Sequence, residues 1–358
     1  MFENPAAYLI LENGMKFRGR AFGRLREAAG EIVFLLGAGG YQEAVTDPAY
    51  AGQIVVMTYP LVGNYGFNID DMESDSPKLS GLIVREKCDM PNNWRCEMDI
   101  DGFFKQHNLI GVEDIDTREL SKVIRDNGSM KAVIKFSEND EPDFGFSNKN
   151  AVESVTLNEK YTIDGPTGKA RKIAVLDLGV KNSQLKEFRD RGAKITVYPA
   201  STPAVEILAD NPEGVFISSG PGNPDDIPEI ARAVKVLCEA KPTLGVGLGS
   251  LVIAKAFGST VKRMKYGHHT TCSPVKETET GRVLITNQNV NYTVGRLSDE
   301  LTVTYKNIND GETDGFRHKT LPVKGVQFYP QTENNPTDTG FLYTELLREI
   351  ETGGKSNA

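Results

Sequence analysis

Residues 242–258 read PTLGVGLGSLVIAKAFG. An apolar run ends in three alternate glycines, Gly245, Gly247 and Gly249, and a second apolar run follows. The pattern predicts a buried strand, a sharp turn and a helix that begins near Leu248. Three kinds of turn have this outline. A dinucleotide-binding turn reads Gly-x-Gly-x-x-Gly and is followed about 20 positions later by an acidic residue. Here the third glycine comes one position too early, and the region that follows, VKRMKYGHH (261–269), is basic. A nucleophile elbow holds its central residue in a strained conformation between strand and helix, often with φ > 0. The central residue here is Gly247, which has no side chain to attack with. Close packing of a helix on a strand also selects glycine and, for this stretch alone, is the simplest explanation.

The neighbouring segments place the turn in a parallel sheet. KIAVLDL (172–178), KITVY (194–198), GVFIS (214–218) and TLGVG (243–247) read as buried strands. SQLKEFRDRG (183–192), PAVEILAD (203–210) and PEIARAVKVLCEA (228–240) read as helices between them. Strands alternating with helices at short spacing imply a mostly parallel sheet covered on both faces. Ligand sites in such sheets lie at the carboxyl ends of the strands, where SSGPGNP (218–224) and the glycine turn both fall. Past residue 265 the runs become shorter and strand-like (RVLITNQ, YTVGRL, LTVTYK, VKGVQFY), and TGFLYTELLREIE (339–351) reads as a terminal helix.

Before residue 138 strands dominate. YLILENGMKF (8–17) carries Asn13-Gly14 between apolar runs, the strongest short hairpin signal. QIVVMTY (53–59) and GLIVRE (81–86) are further strand candidates. DIDTRELSKVIRDNG (114–128) reads as a helix with Thr117 as its cap, Leu120, Val123 and Ile124 on one face, and Gly128 at its end. The expected organisation is therefore α/β overall. A β-rich α+β domain over 1–137 is followed by a polar connection over 138–170. A doubly covered sheet domain spans 171–352, and a tail spans 353–358.

At 358 residues two domains are expected. The net charge of −8 argues against nucleic acid as the main partner. No apolar run reaches 18 residues and no secretory leader is evident at the start, so a cytoplasmic protein with no membrane partner is expected. The four cysteines, Cys88, Cys96, Cys238 and Cys272, fit neither a zinc pattern nor a small disulfide framework and are expected as reduced, mostly packed thiols. His268 and His269 are adjacent, which in a strand sends them to opposite faces and suits no shared metal. No cofactor or metal is expected.

Seven stretches in one order resemble the small subunit of carbamoyl-phosphate synthetase, over nearly the whole chain. GYQEAVTDPAY (40–50), QIVVMTYPLVGNYG (53–66) and DIDTREL (114–120) resemble its N-terminal domain. SSGPGNP (218–224), KRMKYGHH (262–269), NDGETDGFRHKTLP (309–322) and VQFYPQTENNPTDT (326–339) resemble its class I, triad-type glutamine amidotransferase domain, which is flavodoxin-like. The resemblance implies an elbow of the form Gly-x-Cys-x-Gly-His-Gln. A cysteine thiolate there attacks the carboxamide of glutamine, a histidine shuttles protons, a glutamate orients the histidine, and backbone N–H groups hold the oxyanion. Ammonia then passes to a large subunit.

This chain departs from that pattern at every triad position. Gly247 stands at the nucleophile, Tyr329 at the general base and Gln331 at the orienting carboxylate. Ser250 and Leu251 replace the usual His-Gln after the elbow. Gly37 stands where the N-terminal loop of the family carries a glutamine-binding serine, and Gln288-Asn289-Val290-Asn291-Tyr292 stands for Gln-Asn-His-Gly-Phe. What remains is backbone: Gly220, Gly222 and the N–H of Leu248. The resemblance thus implies a small-subunit homologue that docks on a large subunit, binds glutamine weakly or not at all, and lacks glutaminase activity. An alternative is a pseudo-amidotransferase serving as a binding or regulatory module in another complex.

Overall fold

The computed structural model describes residues 4–166, 170–330 and 339–352. The chain divides into two compact units, one of residues 1–148 with 265–271 and one of residues 149–264 with 272–358.

The first unit runs β1 (Ala6–Leu11), β2 (Lys16–Gly23), β3 (Ala28–Leu35), α1 (Tyr41–Thr46), β4 (Gln53–Met57), β5 (Leu61–Val62), β6 (Gly81–Ile83), β7 (Glu86–Lys87), α2 (Ile100–Gln106), β8 (Ile110–Glu113), α3 (Thr117–Asn127) and β9 (Met130–Lys135). Seven strands close into a barrel in the order β1-β2-β8-β6-β4-β3-β9, and β5 pairs with β7 apart from it. The Asn13-Gly14 turn is as expected. Leu11 N–H donates to the Met15 carbonyl at 2.9 Å and Gly14 takes φ +87°.

The barrel wall is apolar on both sides. Along β3, Ile32 and Phe34 join one buried cluster while Val33 and Leu35 join another. Strands buried on both faces read as continuous apolar runs, which is why they stand out in the sequence. α3 sets Leu120 and Ile124 into the first cluster, with Val123 beside them. Its cap is Asp116 rather than Thr117. The Asp116 carboxylate accepts the Glu119 N–H at 2.9 Å, and Thr117 is already the first helical residue. A carboxylate also suits the positive end of the helix dipole. Gly128, at φ +92°, ends the helix as expected.

The second unit runs β10 (Tyr161–Ile163), β11 (Lys172–Asp177), α4 (Asn182–Asp190), β12 (Lys194–Pro199), α5 (Ala204–Ala209), β13 (Gly214–Ile217), α6 (Pro228–Ala240), β14 (Thr243–Val246), α7 (Leu248–Ala256), β15 (Val261–Glu277), β16 (Val283–Val294), β17 (Leu301–Asn307), β18 (Thr313–His318), β19 (Val323–Val326), β20 (Phe328–Tyr329) and α8 (Phe341–Glu351). Its sheet has the order β10-β12-β11-β13-β14-β19-β18-β17-β15-β16-β20. The five strands from β12 to β19 pair in parallel. Successive residues of β11 alternate between two cores. Ala174 and Leu176 pack with residues of α5, α6 and α7, whereas Ile173 and Val175 pack with α4 and α8.

Two features lie outside the expected pattern. Tyr161–Ile163, inside the stretch expected as a connection, adds an antiparallel strand to β12. Its Tyr-Thr-Ile sequence consists of good strand formers. β15 is 17 residues long and runs through the division between units, with 265–271 assigned to the first and 272–277 to the second. Within it His269 is buried and His268 half-buried, the alternation expected of a strand. Among the described residues, no helix is long and apolar enough to cross a membrane, and no group of three or more His, Cys, Asp or Glu side chains is placed to hold a metal.

Candidate functional site

The carboxyl ends of β11, β13, β14 and β19 line up at one edge of the parallel sheet. At the end of β14 the chain turns through Gly247 into α7. Gly247 has φ 55° and ψ −120°, which L side chains rarely adopt, and its N–H donates to the Val326 carbonyl at 2.9 Å. Cβ atoms built on the three glycines meet different surroundings. On Gly249 a Cβ overlaps the Ile217 carbonyl oxygen and stands 2.7 Å from that of Ser218. On Gly245 it stands 2.5 Å from Ile253 Cδ1 and 2.9 Å from the Gly249 carbonyl. On Gly247 it stands 3.2 Å from Ser219 Cβ and 3.4 Å from a ring carbon of Tyr329. The outer glycines are thus set by close packing of α7 on the strands. The central one is set by backbone conformation, and any side chain there would point between Ser219 and Tyr329.

Among the described residues, one N–H in the first turn of α7 has no hydrogen-bond partner. Gly249 N–H donates to Ser218 O at 3.1 Å, and Ser250 and Leu251 N–H donate to Gly247 O at 3.1 and 3.4 Å. The N–H of Leu248 is the remaining donor, in the turn where a helix cannot satisfy its own amides. Ser250 is no substitute nucleophile. It is fully buried, and its hydroxyl donates to Gly247 O at 2.8 Å. Leu251 belongs to the apolar cluster with Ile217, Val252 and Ile253.

The loop after β13 closes the other side. A Cβ on Gly220 would overlap the Leu178 carbonyl oxygen, and Gly222 has φ +92°, so both positions demand glycine. Ser218 Oγ accepts the Leu178 N–H at 2.9 Å and donates to Ser219 O at 2.8 Å, tying the ends of β11 and β13 together. Asp177, the last residue of β11, shapes the adjoining turn. Its Oδ1 accepts the N–H groups of Gly179 and Val180 at 2.9 and 2.7 Å, and its Oδ2 accepts that of Leu157 at 2.8 Å. Burial raises the Asp177 carboxyl above its usual range, against these donors, which favour the charged form.

That turn delivers Lys181, a residue the sequence does not single out. Its side chain is buried, and its Nζ lies 4.5 Å from the centroid of the Tyr329 ring. The Lys181 N–H donates to Gln184 Oε1 at 3.2 Å, and Gln184 Nε2 donates to Ser219 Oγ at 3.1 Å. No local pattern marks a buried lysine. The one available signal is its place just past a strand that ends at the same sheet edge as the glycine turn. Tyr329 is itself buried, and its hydroxyl donates to the Asn289 carbonyl at 3.4 Å, across the β16–β20 pairing.

The structure therefore brings Gly247, Tyr329, Leu248, Gly220 and Gly222 to one edge of the second unit, with Lys181 and Ser219 among them. Asn289 is buried and Asn291 and Tyr292 half-buried along β16. Gln331 lies outside the described residues, and Gly37 belongs to the first unit. Removing the Tyr329 ring should be costly while removing its hydroxyl should not. Tyr329→Phe keeps the face under Lys181 and is expected to lose under about 1 kcal/mol. Tyr329→Ala leaves a cavity beside a buried ammonium and is expected to lose about 3–5 kcal/mol, both read from urea unfolding midpoints.

Residues 9–134 match the family described as carbamoyl-phosphate synthase small chain, CPSase domain, and residues 174–348 match glutamine amidotransferase class-I. The carbamoyl phosphate synthase small chain of Clostridium perfringens is 44% identical over 347 residues, covering 96% of this chain and 99% of that one. The pyrimidine-specific small chain of Bacillus subtilis is 40% identical over 354 residues, covering 97% and 96%. The small chain of Archaeoglobus fulgidus is 41% identical over 357 residues, covering 96% and 99%.

Proposed function

The chain belongs to the carbamoyl-phosphate synthase small-chain family, and from that premise we propose that it serves a large subunit without hydrolysing glutamine. In this role it docks on a subunit that makes carbamoyl phosphate for arginine or pyrimidine synthesis, and it stabilises or regulates that subunit while free ammonia supplies the nitrogen. The observation that carries this is Gly247. Acyl transfer from glutamine needs a nucleophile at the elbow, and this residue has none. The general-base position holds a tyrosine, and a phenol, whose reference pKa is near 10, is a poor base at neutral pH. The backbone donors persist around it, which fits a site kept as structure after its chemistry was lost.

The test is co-expression with a large subunit, followed by assay of carbamoyl phosphate synthesis on glutamine and on ammonium. The expected result is co-purification with ammonium-dependent synthesis only. Glutamine-dependent synthesis with this chain as the sole glutaminase overturns the proposal. Failure to bind any large subunit, with specific binding of another protein, favours a binding or regulatory module instead.

A further inference from the structure

Gly37 lies two residues past the end of β3, and its backbone is not left-handed, so conformation does not demand glycine there. Space does. A Cβ on Gly37 would stand 2.6 Å from Thr271 Oγ1, 3.1 Å from Thr271 Cγ2 and 3.4 Å from Thr271 Cβ. A Cβ on Gly39, two residues on, would have nothing within 4 Å, so the crowding is specific to position 37. Neither backbone is placed to retreat. Leu36 N–H donates to the His269 carbonyl at 2.9 Å, Thr271 N–H donates to the Leu36 carbonyl at 3.1 Å, and Leu36 and Thr270 form a parallel bridge. Residues 36–37 and 269–271 are thus held in register by the backbone, and both segments belong to the first unit. His269 is anchored further by its ring, 5.8 Å from that of Tyr50.

We infer that positions 37 and 271 share the room for one side chain, and that Thr271 occupies the place a side chain at 37 would take. Thr271 is in consequence the residue that decides whether position 37 can carry a hydroxyl. The importance of that hydroxyl for glutamine rests on the family resemblance from which the function above is proposed. The steric exchange does not. Returning a serine to position 37 forces Thr271 out of its rotamer or the two segments apart, and either is a case of overpacking.

Four proteins test the exchange: the natural chain, Gly37→Ser, Thr271→Gly and the double variant. Gly37→Ser is expected to lower Tm by about 2–4 °C when Thr271 is present. In the Thr271→Gly chain the same change is expected to leave Tm level or raise it. Equal falls in both backgrounds overturn the inference. Should Thr271→Gly not fold, Thr271→Ala removes Oγ1 and Cγ2 while keeping a strand-compatible residue, and the same comparison applies. Calorimetric titration with glutamine, in chains that also carry Gly247→Cys, Tyr329→His and Gln331→Glu, separates the two ideas. At least tenfold tighter binding by the double variant than by Gly37→Ser supports both. Thermal coupling without any glutamine binding upholds the exchange and removes position 37 from the glutamine pocket.

Discussion

Given glutamine, this protein is expected to release ammonia about a million-fold more slowly than a chain with its cysteine, histidine and glutamate in place, a loss on the scale seen when the nucleophile of a catalytic triad is removed. Triad members act as a unit, so losing the nucleophile alone forfeits nearly all that the three supply. Here the other two positions hold Tyr329 and Gln331 as well. The backbone donors, among them the N–H of Leu248, would leave at most the residual rate that oxyanion binding gives by itself. Coupled ammonia assays with and without a large subunit measure this, and turnover within a hundredfold of an intact small chain would refute it. The triple restoration Gly247→Cys, Tyr329→His, Gln331→Glu is expected to fall well short of full activity. A Cβ at 247 would stand 3.2 Å from Ser219 Cβ, a tight fit, while Leu251 is packed in the core and Gly37 faces Thr271. Substrate contacts would still be missing after the chemistry was rebuilt.

The second large effect separates the three glycines of the turn. Gly249→Ala is expected to abolish soluble folded protein, whereas Gly247→Ala is expected to give a folded protein about 1–3 kcal/mol less stable. At Gly249 the added methyl overlaps the Ile217 carbonyl, so α7 must lift off β13. That motion also breaks the bond from Gly249 N–H to Ser218 O. Losses beyond about 4 kcal/mol are rare and consume much of a typical domain's 5–15 kcal/mol. At Gly247 the nearest atoms stand 3.2 Å or more from the added carbon, a tight contact that a small shift of Ser219 relieves, and the positive φ adds the larger penalty. Soluble yield and urea midpoints decide the matter. Equal damage at both positions would mean that packing, not backbone conformation, holds the central residue.

Much of the fold was legible because its signals are local. The Asn13-Gly14 hairpin, the α3 face of Leu120 and Ile124, and the strand–turn–helix around Gly247 each follow from a period or a turn residue within a dozen positions. The barrel was not, since its closure rests on pairings such as Leu9 with Ile134, which no local period announces. The site divides in the same way. The turn and its glycines are local, and so they could be placed. The burial of Lys181 against Tyr329 joins the turn before α4 to β20, and the exclusion of a side chain at Gly37 comes from Thr271, more than two hundred positions away. Both are products of tertiary packing. The cap of α3 marks a smaller limit. Aspartate and threonine are adjacent and both cap well, and only the backbone decides between Asp116 and Thr117.

The long strand β15 constrains how the molecule can be taken apart. Because residues 265–271 belong to the first unit, that unit is not a continuous piece of polypeptide. A gene fragment ending at residue 148 would encode a barrel without the Leu36 bridge to Thr270 and without the His269 ring beside Tyr50. A fragment starting at residue 149 would carry those seven residues with nothing of their own unit around them. Fission of this gene between its two apparent halves therefore yields a first product that lacks seven residues of its own unit and a second that carries them as a foreign insert.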